Sequence, residues 1–364
     1  MIIFFIILVL AIGIFLLPYW LIKARPFPQP SGQWNIGTSD LIWDAPDRSG
    51  IIAKIWYPTD DRQGIHSPYL DQIDRTLAVM TTGINPFFKF MLKVYLSRVT
   101  TPSFTNAKPI QCEDGCPVIL FSPGFSSINF LNTFYALEFA SHGFIVIGIN
   151  HPEMSAGSLL ADGSQVAFKP VDTELVFAGY EQPESLFSDL ILKQADNISN
   201  VLDEIISSNA TTGSLLYQKI NPNKIFAAGH STGGAASFVA CGKDGRIAKG
   251  ANLDGIFIDP ANTNYASKEL LLISSNWAKY SPKDKNTRTR IETIIAKDKI
   301  QREQLAAKAN LHQLLFPSAS HFNFTDLPLI IRSLIGKKIG LFGHIDGLEV
   351  LSKTSAAMIN LFDN

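Results

Sequence analysis

Cysteine is scarce, with three in 364 residues. That is too few for a disulfide scaffold, and the spacing is not that of a zinc site. Charge is scarce too. Only 17% of residues are charged, and 31 basic against 32 acidic side chains leave a formal net charge of −1. A nucleic-acid binder would show a basic excess or stripe, and none is visible, so no nucleic-acid partner is expected. No internal repeat or low-complexity tract is present. Low charge beside 46% hydrophobic residues also excludes a disordered chain, which needs the opposite composition. What remains is a large-cored enzyme or binding protein. At roughly 150 residues per domain the length fits about two domains, or one large α/β domain.

Part of the apolar excess is local. Residues 1–22 carry no charged side chain, and as a helix at about 1.5 Å per residue they would span roughly 33 Å, close to a bilayer core. Pro18, Tyr19 and Trp20 mark an interfacial end, followed by Lys23 and Arg25. The segment reads as a transmembrane helix, a single-pass N-terminal anchor. A cleaved signal peptide is the rival, but no Lys or Arg precedes the apolar run and no small-x-small cleavage site closes it. Lys23 and Arg25 would keep the following domain cytoplasmic under the positive-inside tendency. Cys112 and Cys116 are close enough for a small-loop disulfide, which would place it in an oxidising compartment. They read equally well as unpaired thiols, so the side stays open.

Pro26, Pro28 and Pro30, then Ser31 and Gly32, make residues 23–35 a short stiff linker. Beyond it, β-type runs alternate with helical stretches. Residues 41–43 and 51–57 suggest an antiparallel start. Runs 117–121 and 144–150 read as buried strands, and 224–228, 270–274 and 312–316 as strands. Stretches 132–140, 185–207, 235–241 and 325–335 read as helices. Buried apolar strands separated by helices predict an α/β fold, a mostly parallel central sheet with helices on both faces. Residues 36–364 are read as one such domain, with an inserted lid-like region at about 62–110.

The sharpest local signal is Gly229-His230-Ser231-Thr232-Gly233. G-x-S-x-G alone is weak, but a strand directly before it and a helix directly after supply the setting of a nucleophile elbow. The bland alternative is a glycine-rich turn capped by a serine. A serine nucleophile needs a base, an orienting acid and oxyanion donors, and in hydrolases of this type the chain order is serine, acid, histidine. Downstream of Ser231 stand His312, His321 and His344. His312 opens an apparent strand and His344 lies in a late glycine-rich loop. His321 directly follows a strand, where a loop can carry an imidazole over the sheet, so His321 is the expected base. Asp254, in Ala251-Asn252-Leu253-Asp254-Gly255, ends a short strand and fits the order as the acid. Asp244 lies nearer a turn, and Asp326 reads as the start of the next helix. For the oxyanion, the backbone N–H of Thr232 is one donor. Phe125, after Ser122-Pro123-Gly124, is the other, because Pro123 has no N–H. His151 ends a strand and reads as a satisfied structural histidine rather than a triad member.

Together these blocks resemble the platelet-activating-factor acetylhydrolase family, the lipoprotein-associated phospholipase A2 type of α/β-hydrolase. The likeness runs from about Trp34 onward. It includes IWYPT at residues 55–59, ILFSPGFSS, His151 with Ser155 and Ala156, GHSTGG, NLDG, SASHFNFTD and the late Ile345-Asp346-Gly347. The resemblance implies an α/β-hydrolase fold, the triad Ser231, Asp254 and His321, and oxyanion donors at Phe125 and Thr232. It also implies calcium-independent hydrolysis of short or oxidised sn-2 acyl esters of phospholipids, with no cofactor and no metal. It favours a periplasmic or extracellular domain, which the charge rule opposes. One departure is informative: family members usually carry histidine where this chain has Pro123, a stiffer residue that removes a hydrogen-bonding side chain beside the oxyanion loop.

Residues 86–96 (PFFKFMLKVYL) place Phe87, Phe90, Met91, Val94 and Tyr95 at helical spacing beside Lys89 and Lys93. This reads as an interfacial helix or a lid, and equally as a core-facing helix with solvated lysines. The expected function is therefore a membrane-anchored serine esterase acting on phospholipid or another lipid ester at a membrane surface. The alternatives are a generic carboxylesterase or polyester hydrolase on the same fold, and a catalytically silent, membrane-tethered binding protein.

Overall fold

A computed structural model describes residues 27–45, 48–71, 73–80, 85–170, 186–260, 262–276 and 285–363. The expected anchor at residues 1–22 lies outside these. Among the described residues no helix is long and apolar enough to cross a membrane.

The strands are β1 (Asn35–Ala45), β2 (Arg48–Thr59), β3 (His66–Pro68), β4 (Thr100–Thr105), β5 (Cys116–Ser122), β6 (Ile145–Gly148), β7 (Gly157–Leu159), β8 (Gln165–Ala167), β9 (Ile220–His230), β10 (Ile247–Leu253), β11 (Glu269–Ser275) and β12 (Asn310–Phe316). The described helices are α1 (Ile73–Met80), α2 (Pro86–Leu96), α3 (Thr133–Ser141), α4 (Leu186–Ala210), α5 (Thr232–Lys243), α6 (Lys285–Ala306), α7 (Leu327–Ile330), α8 (Ser333–Lys338) and α9 (Gly347–Asp363). One sheet runs in the order β12-β11-β10-β9-β5-β6-β2-β1-β4-β3, and β7 and β8 form a separate hairpin. From β12 to β6 every neighbouring pair is parallel. β2 then joins β6 antiparallel, and β1 joins β2 antiparallel.

Successive residues of a strand point to opposite faces, and the central strands are apolar on both. Val118, Leu120, Ile225 and Ala227 face one core with Ile198, Val201 and Leu202 of α4 and Phe238 of α5. Ile119, Phe121, Phe226 and Ala228 face the other with Phe139 of α3 and Leu351, Met358 and Phe362 of α9. Helices on both faces explain why these strands read as unbroken apolar runs rather than alternating ones. The carboxyl ends of β5, β9, β10, β11 and β12 therefore open on one edge, where loops can converge.

Four regions differ from the sequence reading or add to it. Residues 325–335 are not one helix. Ile331 and Arg332 are extended, with ψ of 138° and 124°, and split the stretch into α7 and α8. Residues 62–110 supply β3, α1, α2 and β4, and β4 pairs parallel with β1, so the insertion carries sheet as well as helix. The proline-rich stretch is docked on the domain: Phe27 is buried and donates its N–H to Thr100 O, and Trp34 N–H donates to Ser141 O. Helix α6 has no counterpart in the sequence reading, because it is polar around most of its surface and shows no apolar stripe.

Candidate active site

Ser231 sits between β9 and α5 with φ 58° and ψ −127°, a region that side-chain-bearing residues rarely adopt. Its N–H donates to Leu253 O at 2.8 Å, which ties the turn to the end of β10. Gly233 explains part of the motif. A Cβ there would stand 2.2 Å from Ser122 O and 2.4 Å from Pro123 O, so a side chain would drive the elbow off the β5 loop. The same closeness sets Gly124 beside the nucleophile, its Cβ direction 3.1 Å from Ser231 Cβ.

Asp254 ends β10 with φ 57°, and its N–H donates to Ile273 O of the next strand at 2.7 Å. The carboxylate is buried and fully engaged. Oδ1 accepts the Ser275 N–H at 2.6 Å, and Oδ2 accepts the Ser275 hydroxyl at 2.9 Å and His321 Nδ1 at 2.7 Å. Because Nδ1–H donates to the carboxylate, Nε2 is left as the acceptor nitrogen, the tautomer a general base needs. His321 opens a short 3-10 turn, His321–Phe324, after β12. Asn323 braces that turn by accepting the N–H groups of Ser320 and Gly343 on one Oδ1, at 2.9 and 2.8 Å.

The rival histidines and acids fall elsewhere. His312 and His344 are exposed. Asp244 lies at the far end of α5 and is held by Arg246, whose guanidinium and backbone N–H draw its carboxyl below the usual range against the opposing effect of burial. Asp326 does not act on its own helix. Its carboxylate accepts the N–H groups of Thr133 and Phe134 at the start of α3 and the Tyr69 hydroxyl.

His151 is fully buried. Asn197 Nδ2 donates to its Nδ1 at 3.3 Å, so Nε2–H is the nitrogen that donates to Ser122 Oγ at 2.8 Å. Burial pulls its pKa from 6.5 to about 3, so the ring is neutral and serves as a strut beneath the Ser122–Phe125 loop. Phe125 N–H donates to Thr232 Oγ1 at 2.8 Å, which brings the two expected oxyanion residues together. Thr232 N–H lies in the first turn of α5, where no helical carbonyl can take it.

Sequence reasoning missed Ser275, His230 and Asn252. Ser275 supplies two of the bonds that fix Asp254. His230 donates Nε2–H to His321 O at 3.1 Å and packs tilted against the His321 ring at 4.4 Å between centroids. Burial is the main cause that lowers its pKa to about 3, with the neighbouring His321 adding to it. Asn252 Oδ1 accepts the Gly255 N–H at 2.8 Å and closes the turn that carries Asp254. Asn252 and Gly255 stood in the NLDG block, but only the aspartate has a residue type that announces chemistry.

A strained serine between a parallel strand and a helix, with a carboxylate after β10 bonded to a histidine after β12, defines a hydrolase of the α/β-hydrolase class. The family model described as platelet-activating factor acetylhydrolase, isoform II, matches residues 21–364, and the chain belongs to that family. It is accordingly a lipid-ester hydrolase. It is 24% identical over 359 residues to platelet-activating factor acetylhydrolase of Cavia porcellus, covering 92% of this chain and 77% of that protein. It is 29% identical over 230 residues to a probable 1-alkyl-2-acetylglycerophosphocholine esterase of Arthroderma benhamiae, covering 61% of this chain and 53% of that protein. Among solved structures, a ferulic acid esterase from Streptomyces cinnamoneus superposes with a TM-score of 0.67 at 18% identity, over 94% of this chain and 93% of the other. At that identity the likeness shows the fold.

Proposed function

We propose that the protein cleaves short or oxidised sn-2 acyl groups from phospholipids, with Ser231 as nucleophile, His321 as general base and acid, and Asp254 as the orienting carboxylate. Ser231 Oγ adds to the acyl carbonyl carbon while His321 Nε2 takes its proton. The carbonyl π pair moves to oxygen, where the N–H groups of Phe125 and Thr232 hold it. The tetrahedral species then expels the lysolipid alkoxide, which takes the proton from His321. Water repeats the cycle on the acyl-enzyme. The observation that carries this reading is the Asp254 Oδ2–His321 Nδ1 bond at 2.7 Å, on strand ends beside the Ser231 elbow. Ser231→Ala should abolish hydrolysis of a short sn-2 phospholipid and of a soluble aryl ester, and should prevent labelling by a fluorophosphonate. Retained turnover would exclude Ser231 as nucleophile. A chain that hydrolyses the aryl ester but no phospholipid would be a generic carboxylesterase.

The same reading places the enzyme at a membrane surface, held by residues 1–22. Phe87 and Phe90 on α2, and Leu334 and Ile339 on and after α8, are large apolar side chains exposed to solvent. Val99, just past α2, and Ile330 and Ser333, bracketing the start of α8, line one cleft with Phe27. Phe27 therefore lies beside the ends of the two segments that carry these side chains, which supports their meeting one bilayer. Phe87→Ser with Phe90→Ser should weaken sedimentation with phosphatidylcholine vesicles and leave aryl-ester turnover unchanged. Unchanged sedimentation of that variant, with residues 1–26 removed from both proteins, would exclude this face. The Cys112–Cys116 disulfide favours a periplasmic or extracellular domain, while Lys23 and Arg25 favour the opposite side. Protease protection in sealed vesicles decides between them.

A further inference from the structure

The elbow motif leaves the residue after the nucleophile unspecified, because only its backbone N–H is called on. This chain places threonine there, and the hydroxyl lies within the oxyanion site. Thr232 Oγ1 accepts the Phe125 N–H at 2.8 Å, and Thr232 is 7% exposed. A hydroxyl that accepts one hydrogen bond still has a proton to give, and among the described residues no acceptor takes it.

We infer that the Thr232 hydroxyl is a third, side-chain donor to the oxyanion. This rests on Ser231 being the nucleophile. An oxyanion held by the two backbone groups must lie about 2.7–3.1 Å from both Phe125 N and Thr232 N. Oγ1 is within hydrogen-bond reach of the first nitrogen and belongs to the same residue as the second, so it borders that position. When Ser231 Oγ bonds to the carbonyl carbon and the π pair moves to oxygen, the Phe125 N–H turns to the new charge. The Thr232 O–H then points its free proton at the same atom. No bond to Thr232 forms or breaks. Burial favours the donor role over that of a spacer, because a charge-assisted bond there exceeds its value in water. The β-branch adds geometric control, since it restricts χ1 to few wells and holds the oxygen near the carbonyl position.

The test compares Thr232→Val, which removes the hydroxyl at nearly constant shape, with Thr232→Ser, which keeps it. Substrates are a short sn-2 phospholipid and a soluble aryl ester, and the inhibitor is a trifluoromethyl ketone, whose adduct on Ser231 carries an oxyanion. Thr232→Val should lower kcat about 100-fold on both substrates with KM within about threefold, the size expected for one oxyanion donor. It should weaken the trifluoromethyl ketone in parallel, while the urea midpoint stays near wild type. Thr232→Ser should restore most of kcat and of inhibitor affinity. The inference is overturned if Thr232→Val equals or exceeds wild type in kcat, which would make the hydroxyl a competitor for Phe125 N–H. It is also overturned if kcat falls while inhibitor affinity does not. An inactive Ser231→Ala beside an unimpaired Thr232→Val overturns the third donor alone, whereas an active Ser231→Ala overturns the nucleophile assignment and this inference with it.

Discussion

Asp326 reaches back 193 residues to accept the backbone N–H of Thr133 at 2.7 Å. Its other oxygen takes the Phe134 N–H at 3.0 Å, so a residue five positions past His321 caps the helix that follows the oxyanion loop. The two halves of the candidate site are thereby held in one frame.

Removing that carboxylate would strand two helix N–H groups and the Tyr69 hydroxyl in a fully buried place. Asp326→Ala should cost about 3 kcal/mol or more of unfolding free energy, since buried donors without acceptors cost about 1–3 kcal/mol each. Urea titration checks this, and a loss under about 1 kcal/mol would mean that water or a shifted backbone replaces the carboxylate.

The buried histidines set a pH dependence. His151 and His230 are lowered from 6.5 to about 3, so both are neutral in the folded chain and take up protons on unfolding below 6.5. The unfolded state then binds more protons, and their contribution to stability falls as pH drops from 6.5 and levels off near 3. Each contributes up to about 1.4 kcal/mol per pH unit within that window. Burial pushes the Asp326 carboxyl up, which acts in the opposite sense, so the clean reading is a difference. His151→Gln should flatten the slope of unfolding free energy between pH 6.5 and 5 relative to wild type. Identical slopes would mean that the ring is not buried neutral.

Gly255 follows Asp254 at a point where a Cβ would stand 2.1 Å from Ser231 O and 2.6 Å from Asn252 Oδ1. Gly255→Ala must push either the elbow or the acid turn aside. Activity should fall at least about 100-fold, since even an ångström of misplacement is that costly. Circular dichroism should still report a folded chain. Wild-type kcat/KM in this variant would contradict the packing of the two turns.

Cys116 begins β5 and Ser122 ends it, about 20 Å apart at the rise of an extended strand. The disulfide lies at the strand end remote from the site. Replacing Cys112 and Cys116 by serine should cost about 2 kcal/mol, the loop-entropy value for so short a loop. kcat should be unchanged. A fall in kcat matching the stability loss would show that the far end of β5 controls the Ser122–Phe125 loop.

Much of the site was legible because its chemistry is tied to residue type. A serine in that glycine setting suits an elbow, and chain order together with strand-end position picked His321 and Asp254 as the partners. Cys112 and Cys116 could be paired from spacing, but not shown bonded. Asp326 does start the next helix, as its position suggested, but its carboxylate caps the helix that begins at Thr133, a partner 193 residues away that no local pattern marks. The bend at Ile331 escaped for a related reason: apolar residues on both sides keep helical spacing while the backbone between them is extended.

The sequence by itself determined the class of fold and the chemical groups. Buried strands must be apolar on both faces, and a nucleophile, a base and an acid come from few residue types. Tertiary structure alone decided what holds those groups in place. Ser275 against Asp254, His230 against the His321 carbonyl and the Thr232 hydroxyl against Phe125 N–H join residues 21, 91 and 107 positions apart. Such bonds use backbone groups and ordinary polar side chains found throughout any chain, so no local pattern marks them. They exist only because parallel strands bring their carboxyl ends to one edge.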